Sequence, residues 1–368
     1  MPKSWSVRMY KEGDKLGILE LMKLAGIERT AKDWSWEYEN NPFNNYIGVA
    51  EQRGQIIGHM ALIPMCMKVG EDTLMGSQAV DLVVHPDFRR QGIFLDLGRT
   101  LMEKAGKMNV DTTYGFPNTP AQAGHLKYGW FNVCQVPIMI KPINIDKVVG
   151  LLKRHSIIRF LSKYKLSRDI TANILNIALS TYTFFFRIFN PIGGNDNLNI
   201  TLRTIESFDV RFDDFWKKVS KEYEIIVVRN KQYINWRYLE KPNAKYIILS
   251  AEKNNEIMGY IILRIRNEKN LKFGYIADIL GFHDSKMVLH SLILKALAHF
   301  KKENVDAIFC WMLNNLSGGI YYKTLRYNGF FPVSSIPLIA RTNSSRIPRK
   351  FLEEPSKWYV TMGDSDHI

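Results

Sequence analysis

The spacing of apolar residues along residues 1–140 predicts alternating helices and strands. Residues 15–24 carry apolar side chains at helical spacing, and the aromatic segment that follows them ends at Pro42. Three apolar or alternating runs come next, at residues 46–50, 55–67 and 74–85, with short turn sequences between them. We therefore expect two helices followed by an antiparallel meander of three strands.

The pattern changes after this meander. Helical spacing returns from Gly92 onward, and a short strand pattern follows at residues 112–116. Residues 120–128 suit another helix, which Gly129 ends, and residues 131–140 return to strand. This order of elements predicts a mixed α/β domain.

The second half of the sequence repeats the first. The aromatic segment has a later copy, with the matching pairs Trp36 and Trp236, Tyr38 and Tyr238, and Pro42 and Pro242. Further matches keep the same order, among them Asp81 with Asp278, and Asn109-Val110-Asp111 with Asn304-Val305-Asp306. An ordered repeat indicates domain boundaries better than composition does. We expect one domain at residues 1–140 and a second at residues 201–345. A basic helical linker at residues 141–200 joins them, and residues 346–368 form a tail.

Composition and charge narrow the class of protein. The chain has 368 residues, is 46% hydrophobic and 23% charged, and so suits globular domains and excludes a disordered or fibrous protein. Its formal net charge of +14 predicts affinity for an anion such as nucleic acid, an acidic membrane or a phosphorylated cofactor. The three cysteines lie far apart, and the chain opens with no signal-peptide pattern. We expect a cytoplasmic protein with no metal site and no disulfide framework.

The predicted linker concentrates lysine and arginine, and an uncharged run at residues 171–186 follows them. This run is shorter than the roughly 20 apolar residues of a membrane-spanning helix. We expect a buried or interfacial helix here. Because residues 153–190 combine basic and aromatic side chains, they are also a candidate contact for an anionic membrane surface.

The residues with the clearest chemistry lie between a predicted strand and a predicted helix, from Asp81 to Phe94. The strand ends, a basic turn follows, and the helix begins near Gly92. The first turn of a helix has unpaired amides, its dipole favours negative charge, and glycine lets a phosphate approach the backbone. Neither a Walker A loop nor a G-x-G-x-x-G pattern is present. The sequence therefore predicts an anion site of another kind.

This segment resembles motif A of the Gcn5-related N-acetyltransferases (GNAT), in which Gln or Arg is followed three positions later by Gly. Arg89 and Gly92 match that motif, whereas Phe94 stands where the family usually has Gly or Ala. A later family motif is matched at the same spacings by Asn118, Ala121, His125 and Gly129-Trp130. The resemblance covers residues 5–140, and the second copy has no Arg-x-x-Gly after Asp278. It implies an α/β (α+β) protein with two GNAT-like, mostly antiparallel sheets flanked by helices, and a cofactor site in the first copy.

The resemblance also implies an activity and a set of site residues. The activity is acetyl-CoA-dependent transfer of an acetyl group to a primary amine of a small or medium substrate, such as an amino sugar. The implied cofactor-binding residues are Leu82, Val83, Val84, Arg89, Arg90, Gln91, Gly92, Ile93, Phe94, Leu95 and Asn118. His125 stands in place of the family's tyrosine general acid, with an ordinary pKa near 6.5. Asp81 is a candidate base, and the C-terminal carboxylate of Ile368 is another by analogy with the Eis-like enzymes.

Two other functions stay open from the sequence. The net charge and the tandem fold are compatible with an aminoacyl-tRNA-dependent transferase, in which tRNA would be the only nucleic-acid partner. A non-catalytic acyl-CoA-binding or membrane-peripheral protein would instead explain why His125 replaces the usual acid. The single residues also have purely structural interpretations, since His125 and Asp81 suit a protein core and Asn118 suits a helix cap.

Overall fold

The computed structural model describes residues 4–43, 46–148, 168–192, 199–366 and 368. The chain divides into two compact units, and each takes segments from both halves of the sequence. Unit 1 comprises Met1–Gln135, Glu224–Ala244 and Ile336–Lys357. Unit 2 comprises Val136–Tyr223, Lys245–Ser335 and Trp358–Ile368.

Strands and helices are interspersed along the chain. The strands are β1 (Ser6–Met9), β2 (Tyr46–Gln52), β3 (Gln55–Val69), β4 (Asp72–Val84), β5 (Thr112–Gly115), β6 (Phe131–Pro142), β7 (Thr201–Ile205), β8 (Ile225–Val227), β9 (Tyr246–Lys253), β10 (Glu256–Glu268), β11 (Leu271–Gly281), β12 (Ala307–Trp311) and β13 (Phe331–Thr342). The helices are α1 (Asp14–Leu24), α2 (Ala31–Trp34), α3 (Ile93–Lys107), α4 (Thr119–His125), α5 (Ile145–Val148), α6 (Arg168–Phe189), α7 (Arg211–Val219), α8 (Lys231–Tyr238), α9 (Lys286–Lys302), α10 (Gly319–Tyr327) and α11 (Arg349–Glu353). The predicted mixed α/β fold is confirmed. Among these described helices, none has both the length and the apolar character needed to cross a bilayer.

The sheet of unit 1 has the order β1-β2-β3-β4-β5, and the last residues of β13 pair with β5. The pairs from β1 to β4 are antiparallel, whereas β4 and β5 are parallel. The short strand β8 adds to the far end of β3. The meander predicted from the sequence is therefore the centre of this sheet.

The sheet of unit 2 repeats the same plan. Strands β7, β9, β10 and β11 pair antiparallel in that order, β11 and β12 are parallel, and residues of β6 pair antiparallel with β12. Each unit thus ends its sheet with a strand that comes from the other repeat of the sequence. The chain passes from unit 1 into unit 2 within β6, and back within β13.

Helix α3 lies over the sheet of unit 1 because its apolar positions fall on one face. Ile93 and Leu97 pack with Ile57, and the next turns pack in a second cluster with Met60, Leu62 and Trp130. An added Cβ at Gly58 would overlap Ile93 and Leu97, so this glycine sets the close approach of helix and strand. The start of α3 is fixed by this packing.

The repeated aromatic segments meet inside unit 1. The rings of Trp36 and Trp236 stack with centroids 5.1 Å apart and planes inclined by 18°. Each indole N–H donates to the backbone carbonyl of the other tryptophan, at 2.9 and 3.3 Å. The two tryptophans are buried core residues, and their hydrogen bonding is reciprocal.

Candidate active site

The predicted anion site lies in unit 1, where β4 ends at Val84 and α3 begins at Ile93. Gly92 precedes the helix with a φ of 92°, and no side chain caps this end. Gly92 is exposed, and an added Cβ there would meet no atom within 4 Å. The mouth of the helix is therefore open.

The amides of this loop are available to a ligand. Within the described chain, the backbone N–H groups of Gln91, Gly92 and Ile93 donate to no protein acceptor. Arg89 and Arg90 are exposed beside them. Unpaired amides, the positive end of the helix dipole and two guanidinium groups together favour a bound anion such as a diphosphate.

A free strand edge leads into this loop. Strands β4 and β5 pair only from Gly76 to Gln78 of β4, so residues 79–84 have no partner in β5. On the other side β4 continues to pair with β3, where Val83 lies opposite His59. The predicted residues Leu82, Val83 and Val84 thus lie on the part of β4 that extends past its pairing with β5, where Arg89 Nε donates to the Val84 carbonyl at 3.3 Å. A free edge of this kind can pair with an extended ligand that carries amide groups.

A β-bulge shapes the same edge. Two residues of β4, Asp81 and Leu82, lie opposite the single residue Met60 of β3, and Asp81 has a φ of 53°. A bulge bends the strand and redirects its side chains. Asp81 therefore lies at the bulge, three residues after the last pair of β4 with β5.

The remaining predicted contacts divide between backbone and side chain. Ile93 is buried in the core, and Leu95 is partly buried against a neighbouring apolar cluster. These two residues therefore offer their backbone and not their side chains to a ligand. Asn118 caps α4, because its side-chain oxygen accepts the amide of Ala121 at 3.0 Å. The carbonyl of Gly92 accepts from Leu95 and Asp96 at 3.0 and 3.1 Å, which is the first turn of α3.

Phe94, the departure from the family motif, has its own place in the core. Its ring meets His125 edge to face, with centroids 5.3 Å apart. An added Cβ at Gly124 would overlap the Phe94 ring, so the absence of a side chain at Gly124 makes room for it. The aromatic ring therefore packs against α4 and leaves the amides at the helix mouth uncovered.

His125 lies in an apolar environment. It is buried between Phe94, Tyr128 and Trp130, and its Nδ1 is in hydrogen-bond contact with the Tyr128 hydroxyl. Burial lowers the pKa of His125 from its ordinary 6.5 to about 4. The imidazole is therefore neutral at pH 7, and this argues against the near-neutral proton exchange that its sequence position suggested.

This buried histidine predicts a loss of stability in acid. The folded protein keeps His125 neutral down to about pH 4, whereas the unfolded chain protonates it near 6.5, so stability is present above 6.5 and is lost as the pH falls toward 4. We expect His125 to contribute about 3 kcal/mol to this loss. Burial and the charge of Arg29 also lower the pKa of His59, to about 3, which adds to the loss in the same direction.

Urea unfolding at a series of pH values measures this effect. His125→Gln removes the titrating group and keeps an acceptor for Tyr128, so its stability should vary less with pH between 6.5 and 4 than that of the wild type. Equal pH dependence of the two proteins would show that His125 is not buried as a neutral group.

Asp81 belongs to a buried network that the sequence did not predict. Arg29 forms ion pairs with Asp81, at 2.6 Å, and with Glu37. The Tyr38 hydroxyl donates to Asp81 Oδ2 at 2.5 Å. Arg29 lies in a loop and no periodic pattern marks it, so only the fold brings it to the bulge.

The corresponding edge of unit 2 is filled by the protein itself. Asp278 lies at a bulge of β11 and accepts hydrogen bonds from Tyr260 and Thr361, both at 3.0 Å. The hydroxyl of Tyr321 donates a hydrogen bond to the carbonyl of Gly281 at 2.6 Å and accepts one from the amide of Gly281 at 3.0 Å. Side chains therefore occupy this strand edge in unit 2, whereas in unit 1 the exposed Arg89 donates from Nε to the Val84 carbonyl at 3.3 Å.

The helix mouth of unit 2 also differs. Only residues 282–285 separate β11 from α9, so the longer basic loop of unit 1 has no counterpart. The backbone amide of His283 donates to the carboxylate of Glu222 at 2.7 Å. A carboxylate beside this loop opposes a bound diphosphate.

No group of three or more metal-ligating side chains occurs in the part of the chain that the structure describes. Ile368, whose C-terminal carboxylate was the other candidate base, is buried in unit 2.

Comparisons with known proteins agree with this geometry. Residues 6–131 match the family model of the acetyltransferase (GNAT) domain. Proteins of curated function give no match. A solved structure of a GCN5-related N-acetyltransferase from Anabaena variabilis ATCC 29413 is similar with a TM-score of 0.63 and 11% identity, over 92% of this chain and 73% of that one.

Two further solved structures are similar over most of the chain. N-myristoyltransferase of Saccharomyces cerevisiae with bound myristoyl-CoA has a TM-score of 0.60 and 12% identity, over 93% of this chain and 83% of that one. A probable N-acyltransferase from Enterococcus faecalis V583 has a TM-score of 0.61 and 10% identity, over 92% of this chain and 73% of that one. At these identities the likeness establishes the fold. Residues 6–131 thus match an acetyltransferase (GNAT) domain, and the chain has two GNAT-like folds.

Proposed function

We propose that this protein is an acyl-CoA-dependent N-acyltransferase that binds its acyl donor in unit 1. The observation that carries the proposal is the set of unpaired amides of Gln91, Gly92 and Ile93 at an open helix mouth, directly after the free edge at residues 79–84. The diphosphate of coenzyme A suits the amides, and its pantetheine arm, an extended chain with amide groups, suits the free edge. The filled edge of unit 2 favours a single donor site per chain.

The chemistry follows from what a thioester requires. A neutral amine attacks the thioester carbonyl, a carbon–nitrogen bond forms, the carbon–sulfur bond breaks, and the thiolate takes up a proton while the amine loses one. Negative charge develops on the carbonyl oxygen during attack, and a backbone N–H that points into the opening stabilises it. We place this donor among residues 82–84, the part of β4 beyond the bulge.

The charges beside the bulge suit an amine acceptor. Asp81 and Glu37 each form an ion pair with Arg29, so two carboxylates lie at the bulge. Carboxylates beside the opening favour the approach of an ammonium group. We assign Asp81 to orient this group and to take its proton, directly or through water, and we leave the thiolate to be protonated by solvent, because His125 is neutral and buried.

We further propose that the transferred group is acetyl and that the acceptor is a small or medium primary amine, such as an amino sugar. The matching family model is that of an acetyltransferase domain, which supports acetyl over longer acyl groups.

A second candidate function is non-catalytic binding of acyl-CoA. It is favoured by the side-chain environments, since Arg29 and Tyr38 both hold the carboxylate of Asp81 and the imidazole of His125 is enclosed. In that case the donor site would serve recognition and not transfer.

Titration calorimetry with acetyl-CoA, combined with a coenzyme A release assay across a panel of primary amines, tests the proposal. We expect binding of acetyl-CoA and amine-dependent release of coenzyme A. Binding without release by any amine would support the non-catalytic function. Absence of binding, together with tight and salt-sensitive binding of aminoacyl-tRNA, would support the tRNA-dependent alternative that the charge of +14 suggests.

A further inference from the structure

Helix α6 of unit 2 presents an apolar stripe to solvent. Ile170, Ile174, Ile177, Phe184 and Ile188 recur at helical spacing and therefore share one face. They are exposed, with 68% of Ile177 and 60% of Phe184 accessible. Soluble proteins rarely expose a contiguous apolar surface of this kind unless it binds something.

The opposite face of α6 holds the helix in place. Leu175 is buried and Leu179 partly buried against the core cluster that contains Ile145, Val148 and Phe331. The helix is therefore docked by its inner face, and the exposed stripe is a second apolar face.

A cationic cavity of about 310 Å³ borders the stripe. Lys141 and Arg187 line it together with the hydroxyl-bearing residues Ser180 and Thr183, and Phe184 belongs both to the cavity and to the stripe. Arg187 donates to the carbonyl of Tyr327 at 2.9 Å, and in the described residues neither cation has a carboxylate partner. Burial and the charge of Arg187 lower the pKa of Lys141, as expected for two cations that share a site without an anion.

The sequence before α6 adds positive charge. Between Asp146 and Asp169 the chain has no acidic residue, and its basic residues there are Lys147, Lys153, Arg154, Arg159, Lys163, Lys165 and Arg168. Residues 149–167 lie outside the described residues, so their contribution rests on sequence alone.

We propose that α6 docks on an anionic phospholipid surface, with the apolar stripe at the boundary between headgroups and acyl chains and a lipid phosphate in the cavity of Lys141 and Arg187. An amphipathic helix parallel to the membrane plane buries its apolar face in this way, and nearby basic residues add attraction to anionic lipids. A second copy of this chain is a poorer occupant, because it would bring the same basic segment and a net charge of +14 against this surface.

Sedimentation of the full chain with vesicles of phosphatidylcholine, with and without phosphatidylserine, tests the proposal. We expect binding to the vesicles that contain phosphatidylserine, and weaker binding as salt is added. The double variant Ile177→Asp, Ile188→Asp should bind more than about tenfold more weakly, because two exposed side chains of the stripe no longer enter the lipid. Lys141→Met should bind these vesicles about fivefold more weakly.

The double variant Leu16→Asp, Leu24→Asp is the matched control. Leu16 and Leu24 are exposed apolar residues, 73% and 60% accessible, on helix α1 of unit 1, so this variant makes the same chemical change away from α6. It should bind vesicles like the wild type. Equal binding by the double variant and the wild type would overturn the proposal. A second outcome would also overturn it. If the wild type does not bind vesicles, and light scattering shows dimers of the wild type but not of the double variant, the stripe binds a second copy of the chain.

Discussion

Gly92→Glu is expected to abolish acetyl-CoA binding. An L side chain at a φ of 92° strains the backbone by roughly 1–2 kcal/mol, and a carboxylate at the helix mouth repels a diphosphate. Together these effects should weaken binding about a hundredfold or more. Because an added Cβ at Gly92 meets no atom within 4 Å, the variant should still fold. Titration calorimetry with acetyl-CoA measures the loss, and thermal unfolding checks the fold.

Gly54→Glu is the control for this experiment. Gly54 lies in the turn between β2 and β3 with a φ of 81°, and an added Cβ there also meets no atom within 4 Å. The variant therefore adds the same charge and a similar backbone strain within the same unit. It should bind acetyl-CoA like the wild type. Full binding by Gly92→Glu would remove the basis of the proposed donor site.

Local sequence signals predicted most of the elements of the first repeat. The apolar runs and the turns between them predicted β2, β3 and β4 to within a few residues, because glycine and polar residues interrupt apolar strands where a hairpin turns. The helical spacing after Gly92 predicted α3, which begins one residue later. Each of these signals depends only on residues that are close together in the chain, so it can be recognised in one sequence without knowledge of the fold.

The exchange of strands between the repeats could not be predicted in the same way. Strands β6 and β13 are equivalent in the two repeats and carry similar apolar patterns, and a pattern does not say which sheet a strand joins. The repeat suggested two continuous domains, whereas each compact unit takes segments from both halves. Only the three-dimensional packing distinguishes these arrangements.

In the candidate site, too, only features formed by neighbouring residues could be predicted from the sequence. The loop at Gly92 could be predicted, because a strand, a basic turn and a glycine follow one another in sequence. The environment of His125 could not, because its low pKa depends on Phe94 and Trp130, which reach it from other elements. The ion pair of Arg29 with Asp81 likewise joins residues that are distant in sequence.

Arg29→Met should strongly destabilise the protein. The substitution keeps much of the side-chain volume but removes the guanidinium from the carboxylates of Glu37 and Asp81, whose side chains are only 5% and 7% accessible. Removing one partner from a buried ion pair costs about 3–5 kcal/mol, since the remaining charge is neither solvated nor paired. Urea unfolding should therefore show a clear decrease in the midpoint concentration.

A rescue variant separates the charge effect from a simple loss of packing. Adding Glu37→Gln and Asp81→Asn to Arg29→Met removes the unpaired charges, so most of the lost stability should return if charge is the cause. Lys107→Met is the exposed control, because Lys107 and Glu103 form their 2.7 Å ion pair at the surface, and it should change the midpoint little. If Arg29→Met unfolded at the wild-type urea concentration, the network at the bulge would not be a buried ionic one. The role in amine recognition that we assign to Asp81 would then lose its structural basis.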